Sequence, residues 1–247
     1  MITLEMLPLP AGTSLVPGGV QLVSLQLERG KTLWVTGPAE AGKTALLETI
    51  ALRRPVADGA MTLLNQDAGP RITCRTRKLL QQRIGYIEAA PLFMDRLTVA
   101  DNIALPLEMN HASKADIRRE TESILQWFAL EDHARSYPAT LSQTARLRAA
   151  CARALIAQPS IVLVDEPALT LCAGLRNHLL STIRGLARNG TTALLATQTL
   201  PEEASLEGDI LNLPQHKPSP ENTDPSVPEE GVAAPRILVT KDERLLP

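Results

Sequence analysis

The chain has 247 residues, with 25 basic and 27 acidic side chains, a formal net charge of −2 and 44 % hydrophobic residues. That length suits one large domain or a core with an inserted subdomain, and the balanced charge gives no overall pull onto nucleic acid or an anionic membrane. Aromatic residues make up 2 %, so platforms for stacking bases are scarce, which counts against single-strand binding, and no nucleic acid is expected as a partner.

The opening "MITLEMLPLP" has no basic stretch before an apolar run and reads as no signal peptide. No window approaches the ~18 apolar residues of a membrane span. Residues 20–36, "VQLVSLQLERGKTLWVT", read as a strand, a tight turn at Arg29-Gly30 and a buried strand ending at Thr36. "GPAEAGKT" follows at 37–44, and "KTALLETIALR" opens a helix directly after it. "GAMTLLN" (59–65) and "RIGYIEA" (83–89) read as further strands.

The period then changes, and 98–155 reads mostly as helix. One helix starts at Ser113, with Asp116 three residues on as an acidic variant of the capping box. Its apolar face carries Ile117, Ile124, Leu125 and Phe128. A second runs through "ARLRAACARALIAQP". Arg146, Arg148 and Arg153 on it read as a solvated face rather than a nucleotide contact, while Trp34 and Trp127 read as packing residues. "SIVLVDEP" (160–167) is a short apolar strand ending in two acids, the pattern of a strand buried on both faces of a parallel sheet. A helix at about 174–188 and the strand "TTALLAT" (191–197) complete a strand–helix–strand unit. From Pro214 the chain is rich in Pro, Glu and Ser and reads as disordered. Near its end the apolar patch in "RILVTKDERLLP" leaves docking and freedom both open.

Cys74, Cys151 and Cys172 are widely spaced and odd in number, and read as buried reduced thiols rather than a disulfide framework or zinc ligands. His111, His133, His178 and His216 show no ligand spacing.

The chemistry-bearing stretch is Gly37-Pro38-Ala39-Glu40-Ala41-Gly42-Lys43-Thr44, with Ala45 beginning the helix. Its form, G-x-x-x-x-G-K-T between a buried strand and a helix, suits a backbone nest for phosphate. Lys43 supplies a point charge for the β- and γ-phosphates and Thr44 a hydroxyl for Mg2+. Asp165 and Glu166 end a buried strand, where ligands bind in open α/β sheets. Asp165 suits the metal and Glu166 the activation of an attacking water, so Lys43 and Glu166 are the candidate catalytic pair. The long separation of Lys43 from Asp165 implies an inserted helical subdomain: a core of 1–89 and 156–213, helices over 90–155, and a tail over 214–247.

With these residues in place, residues 20–213 resemble the ATP-binding subunit of an ABC transporter. "IGYIEAAPLFMDRLTVADNIALPL" (84–107) resembles the segment that follows the family's Q-loop. "LSQTARLRAACARALIAQPSIVLVDEP" (141–167) aligns without gaps on its signature helix and Walker B strand. The nearest types are the cell-division FtsE and the lipoprotein-export LolD. The resemblance implies an α/β P-loop NTPase fold, RecA-like with a parallel sheet and an ABC-type helical insertion. It implies ATP and Mg2+ as ligands, and a homodimer or a heterodimer with another ABC ATPase. It also implies a permease-like integral membrane partner (FtsX-like among the possibilities), holding the chain at the inner face of the cell membrane. Phe93, Met94 and Leu97 fall where the family's helical subdomain meets that partner, and burial in the subdomain core is the equally open alternative.

Several positions depart from the family's pattern. Glu40 replaces a glycine, Ala89 the Q-loop glutamine, and Leu141-Ser142-Gln143-Thr144-Ala145 the signature L-S-G-G-Q. Cys172 replaces the D-loop aspartate and Gln198 the switch histidine. No aromatic residue precedes position 34 to stack on adenine. The expectation is retained binding of ATP or ADP with Mg2+ and slow hydrolysis. An adaptor that does not hydrolyse is the second reading, and a P-loop kinase or other NTPase the third.

Overall fold

The computed structural model describes residues 1–13, 16–166, 172–200, 208–214 and 236–238, the backbone alone for 10–13, 16–20 and 236–238. The strands and helices in chain order are β1 (Ile2–Thr13), β2 (Val16–Leu27), β3 (Thr32–Thr36), α1 (Lys43–Ile50), β4 (Ala60–Leu63), β5 (Gln66–Asp67), α2 (Cys74–Gln81) and β6 (Ile84–Ile87). There follow α3 (Val99–Met109), α4 (Lys114–Trp127), α5 (Gln143–Leu155), β7 (Ile161–Asp165), α6 (Ala173–Arg188), β8 (Thr192–Thr197), β9 (Asp209–Asn212) and β10 (Arg236–Leu238).

They form two five-stranded sheets. One is wholly parallel, in the order β6-β7-β8-β3-β9, and the other runs β10-β2-β1-β4-β5. Alternation along the parallel strands divides their side chains between two cores. Leu33, Val35, Ile161, Leu163, Leu194 and Ala196 face a core shared with the second sheet and α1. Trp34, Val162, Val164, Ala193 and Leu195 face the other, shared with α3, α5 and α6. Trp34 is thus a core residue, 2 % exposed. Both faces being covered, every residue of β7 and β8 is buried, which is why these strands are continuous apolar runs. The result is an α/β P-loop NTPase fold.

β6 packs tightly on the end of α5. A Cβ on Gly85 would lie 2.2 Å from the Ala154 carbonyl oxygen and 3.0 Å from Pro159 Cγ. Gly85→Ala is therefore expected to destabilise the protein by about 2–3 kcal/mol, because backbone cannot yield as a side-chain tip can. Chemical denaturation of the variant checks this.

The helix starts differ from expectation in one respect. Ser113 Oγ accepts from the Asp116 N–H at 3.1 Å, but the Asp116 carboxylate takes the Ser113 hydroxyl at 2.7 Å instead of reaching back to the backbone. Its other oxygen is held by Arg119 at 2.8 Å. The reciprocal capping box lies at α3, between Thr98 and Asp101.

Three other expectations are corrected. Trp127 is 56 % exposed; its indole N–H donates to Thr182 Oγ1, and its ring leans on His178. The α5 arginines are half-buried, and two of them bond other segments rather than only water. Arg146 donates to the Pro138 carbonyl and Arg153 to that of Leu92, and their guanidiniums flank the Phe93 ring at 5.4 and 4.6 Å. Of the thiols only Cys151 is buried, its pKa pushed up to about 12 by desolvation, while Cys74 and Cys172 are exposed. In the tail's last segment, where the sequence leaves docking and freedom both open, Arg236–Leu238 pair in parallel with Leu22–Ser24; 215–235 and 239–247 lie outside the described residues.

Candidate functional site: the phosphate loop and the acids of β7

The loop from Gly37 to Gly42 joins β3 to α1 by backbone conformations that exclude ordinary side chains. Gly37 has φ +150°, and a Cβ there would meet the Leu213 carbonyl oxygen at 2.5 Å. Gly42, the N-cap of α1, has φ +87°. Glu40 also sits in the left-handed region, at φ +67°. A glycine suits that position for steric reasons, and glutamate holds it at a strain of about 1–2 kcal/mol. Its side chain is exposed, as are Pro38 and Ala39, whereas Ala41 is buried and Ala45 half-buried. No acid and no side-chain cap occupies the first turn of α1, so its N–H groups remain free for an anion.

Four side chains meet here. Lys43, 6 % exposed, donates from Nζ to the carbonyl oxygens of Gly37 and Pro38, each at 2.8 Å, and lies 3.4 Å from Glu166 Oε1. Thr44 Oγ1 donates to Asp165 Oδ2 at 2.9 Å. Glu166 has φ +48°, and its Oε2 accepts the Gln198 backbone N–H at 3.2 Å. β8 lies between β3 and β7, so the peptide after its end reaches Glu166. Strained backbone of this kind persists where the surroundings over-determine it, and it clusters at functional sites.

Asp165 Oδ1 is buried with no hydrogen-bond partner. A buried carboxylate oxygen left open beside a hydroxyl and below a phosphate nest is the donor set of a hard, oxygen-liganded cation, so the residues present fit Mg2+. Burial holds the Asp165 carboxyl above its ordinary 3.8; Thr44 and Lys43 oppose this, while Glu166 and Glu48 add to it. The folded chain therefore keeps a proton that the unfolded chain releases, and stability falls as pH rises from 3.8 toward the native pKa. Asp165→Asn is expected to stabilise the ligand-free protein at neutral pH by about 1 kcal/mol. That gain disappears below about pH 4, where the aspartate is neutral in both states. The same variant loses stabilisation by Mg2+. Thermal melts at the two pH values, with and without the metal, read both effects.

The departing positions are not joined to this cluster by their side chains. Ala89 sits in the bend after β6, half-buried. Gln143 and Thr144 are exposed in the first turn of α5, whose cap is Ser142, accepting from the Ala145 N–H at 3.2 Å. Cys172 caps α6 without a side-chain bond, and the Gln198 side chain is exposed.

Sequence reading missed Asn102, fully buried, which binds Met94 through both backbone groups and also takes the Leu97 and Thr98 carbonyls. It fixes the segment that presents Phe93, half-buried, and Met94, 58 % exposed. The signal lay in the "ADNI" of the quoted stretch, an amide within an apolar run. Also missed was Glu88, paired with Arg53, beside a groove of ≈ 480 Å³. Leu105, Pro106, Met109 and Pro159 line it, along with Lys78 and Arg153.

A family model described as ABC transporter matches residues 20–169. The sulfate/thiosulfate import ATP-binding protein CysA of Gloeobacter violaceus is 35 % identical over 190 residues, 76 % of this chain and 53 % of that protein. The cell division ATP-binding protein FtsE of Escherichia coli is 35 % identical over 183 residues, 73 % of this chain and 81 % of that protein. The chain spans about half the length of the CysA relatives it matches. A solved dimeric, post-hydrolysis state of an ATP-binding cassette bound to ADP and Pi superposes with a TM-score of 0.77 at 21 % identity, covering 88 % of this chain and 97 % of that one. At that identity the likeness is one of fold.

Proposed function

The chain belongs to the ABC transporter family as an ATP-binding subunit of the FtsE type, and from that premise we propose that it binds ATP with Mg2+ and hydrolyses it slowly. The observation carrying this reading is the meeting of Lys43, Thr44, Asp165 and Glu166 at one loop, with Asp165 Oδ1 left open, while the remaining family contacts are replaced. Loop N–H groups and the first turn of α1 hold the phosphates, and Lys43 has its ammonium beside them. Thr44 and Asp165 would hold Mg2+, which supplies neutralisation of phosphate charge. Glu166, kept in place by Lys43 and the Gln198 N–H, orients the attacking water.

Ala89 and Gln198 bring neither the Q-loop amide nor the switch imidazole to this water. Gln143 and Thr144 put side chains where the family's glycines let one subunit approach the γ-phosphate held by the other. These positions also support the second reading, an adaptor that keeps its nucleotide. A phosphate-release assay decides between them when paired with Glu166→Gln. Under slow catalysis that variant loses both turnover and cellular function; under the adaptor reading function survives. Turnover near that of an ordinary transporter ATPase would overturn both.

We further propose that 90–155 forms the inserted helical subdomain, and that the groove beside Glu88 and the Phe93–Met94 segment takes a helix of a permease-like, FtsX-like membrane subunit. No helix among the described residues is long and apolar enough to cross a membrane, so such a partner would place the chain at the inner membrane face. Assembly is as a homodimer or as a heterodimer with another ABC ATPase. A partner carrying L-S-G-G-Q would face this chain's phosphate loop, and co-purification with one tests that choice.

A further inference from the structure

We propose that α2 and its two flanking turns form a contact for anionic phospholipid headgroups. Residues 70–83, "PRITCRTRKLLQQR", hold Arg71, Arg75, Arg77, Lys78 and Arg83 and no acid, in a chain whose acids outnumber its bases. All five are exposed, and none makes an ion pair among the described residues. Three acids on adjoining elements are engaged elsewhere, Glu48 with Arg54, Glu88 with Arg53, and Asp67 with the Gly69 N–H, while Glu108 at the end of α3 is exposed.

The helix is anchored so that its charge points outward. Its only buried residue is Leu80. Gln81 donates to the Leu52 carbonyl and Gln82 to that of Met109, which tie its end to α1 and α3. At about 100° per residue, Lys78 lies roughly opposite Leu80, with Arg75 and Leu79 on its flank. Leu79 is 50 % exposed and lies outside the lining of the adjoining groove. Arg153 in the groove wall meets Phe93 and the Leu92 carbonyl but no carboxylate.

Clustered cations around an exposed aliphatic side chain fit a headgroup layer over an acyl boundary. A nucleic acid fits less well, since no aromatic side chain lies in 70–83 to stack a base. The net charge of −2 means the attraction is local: it is screened beyond about 8–10 Å, so α2 itself must reach the bilayer. That orientation rests on the reading that the adjoining groove takes a membrane subunit.

The test is flotation of the full chain with vesicles of phosphatidylcholine alone or mixed with phosphatidylglycerol, at low and high salt. The expected result is binding to the anionic vesicles only, lost at high salt. Each neutralised cation should lower the partition coefficient about fivefold, so Arg75→Gln with Lys78→Gln lowers it about 25-fold. Arg118→Gln with Arg119→Gln, on the exposed face of α4, leaves it unchanged. Thermal melts confirm that both double variants fold. Equal binding to neutral vesicles, or indifference to the α2 pair, overturns the proposal. Equally tight binding to a single-stranded oligonucleotide would make the patch a general polyanion site and overturn the lipid assignment. These readouts involve neither nucleotide nor a partner protein, so failure of the ATPase or permease reading shows separately.

Discussion

Lys43→Ala is expected to weaken binding of adenine nucleotides about 10- to 100-fold and to bring phosphate release to background, since a charge-assisted contact is worth about 1.5–3 kcal/mol. The ammonium is the cation the loop itself places at the mouth of the nest, 2.8 Å from two loop carbonyls and 3.4 Å from Glu166. It also holds the loop when no nucleotide is present. Removing it takes the ion-pair partner from Glu166, 15 % exposed, at a cost in ligand-free stability of about 2 kcal/mol, below that of a fully buried pair. The two effects separate by thermal melting with and without Mg-ADP. At about 100 times Kd the ligand raises wild-type stability by about 2.7 kcal/mol, whereas the variant starts lower and gains little. An equal nucleotide-induced shift in both proteins would remove Lys43 from the site.

The parts legible in sequence were those with short-range signatures. The phosphate loop announces itself through its glycines, and β7 through an apolar run closed by two acids. What escaped did so for physical reasons. β1 contains Pro8 and Pro10, which argue against a strand. β1 pairs with β4 only over Ile2–Glu5, so the prolines lie where β1 has β2 alone as a neighbour and an absent N–H breaks no second ladder. α2 buries Leu80 alone and so offers no apolar stripe to read. β9 is four residues long, and of these only Leu211 is buried; it exists because β3 pairs with it. The α5 arginines fall at helical spacing, and periodicity cannot tell water from carbonyls and a phenylalanine ring supplied by other segments. Glu40 was visible as a departure, but its reason was not: only the fold shows that the position requires a positive φ.

Restoring five of the replaced positions together, with Glu40→Gly, Ala89→Gln, Gln143→Gly, Thr144→Gly and Gln198→His and with Ala145 and Cys172 left as they are, is expected to raise turnover about 10³-fold. A lost transition-state contact of this kind costs about 2.7–4 kcal/mol, and contacts acting as a unit are far from additive. The structure makes the restoration feasible. Glu40, Gln143, Thr144 and Gln198 are exposed, and Ala89 is half-buried in a bend, where substitutions usually shift stability by less than about 0.5 kcal/mol. Two glycines in the first turn of α5 weaken that helix by about 1 kcal/mol each, while Glu40→Gly recovers strain of similar size. The net change is a modest drop in melting temperature set against a large gain in rate. The sign of that exchange distinguishes the two readings. If the losses alone slow the chain, phosphate release climbs with each restored group and saturates with Mg-ATP. If the restored protein folds, binds nucleotide and still releases no phosphate, the five restored groups are not what limits it, and the adaptor reading prevails.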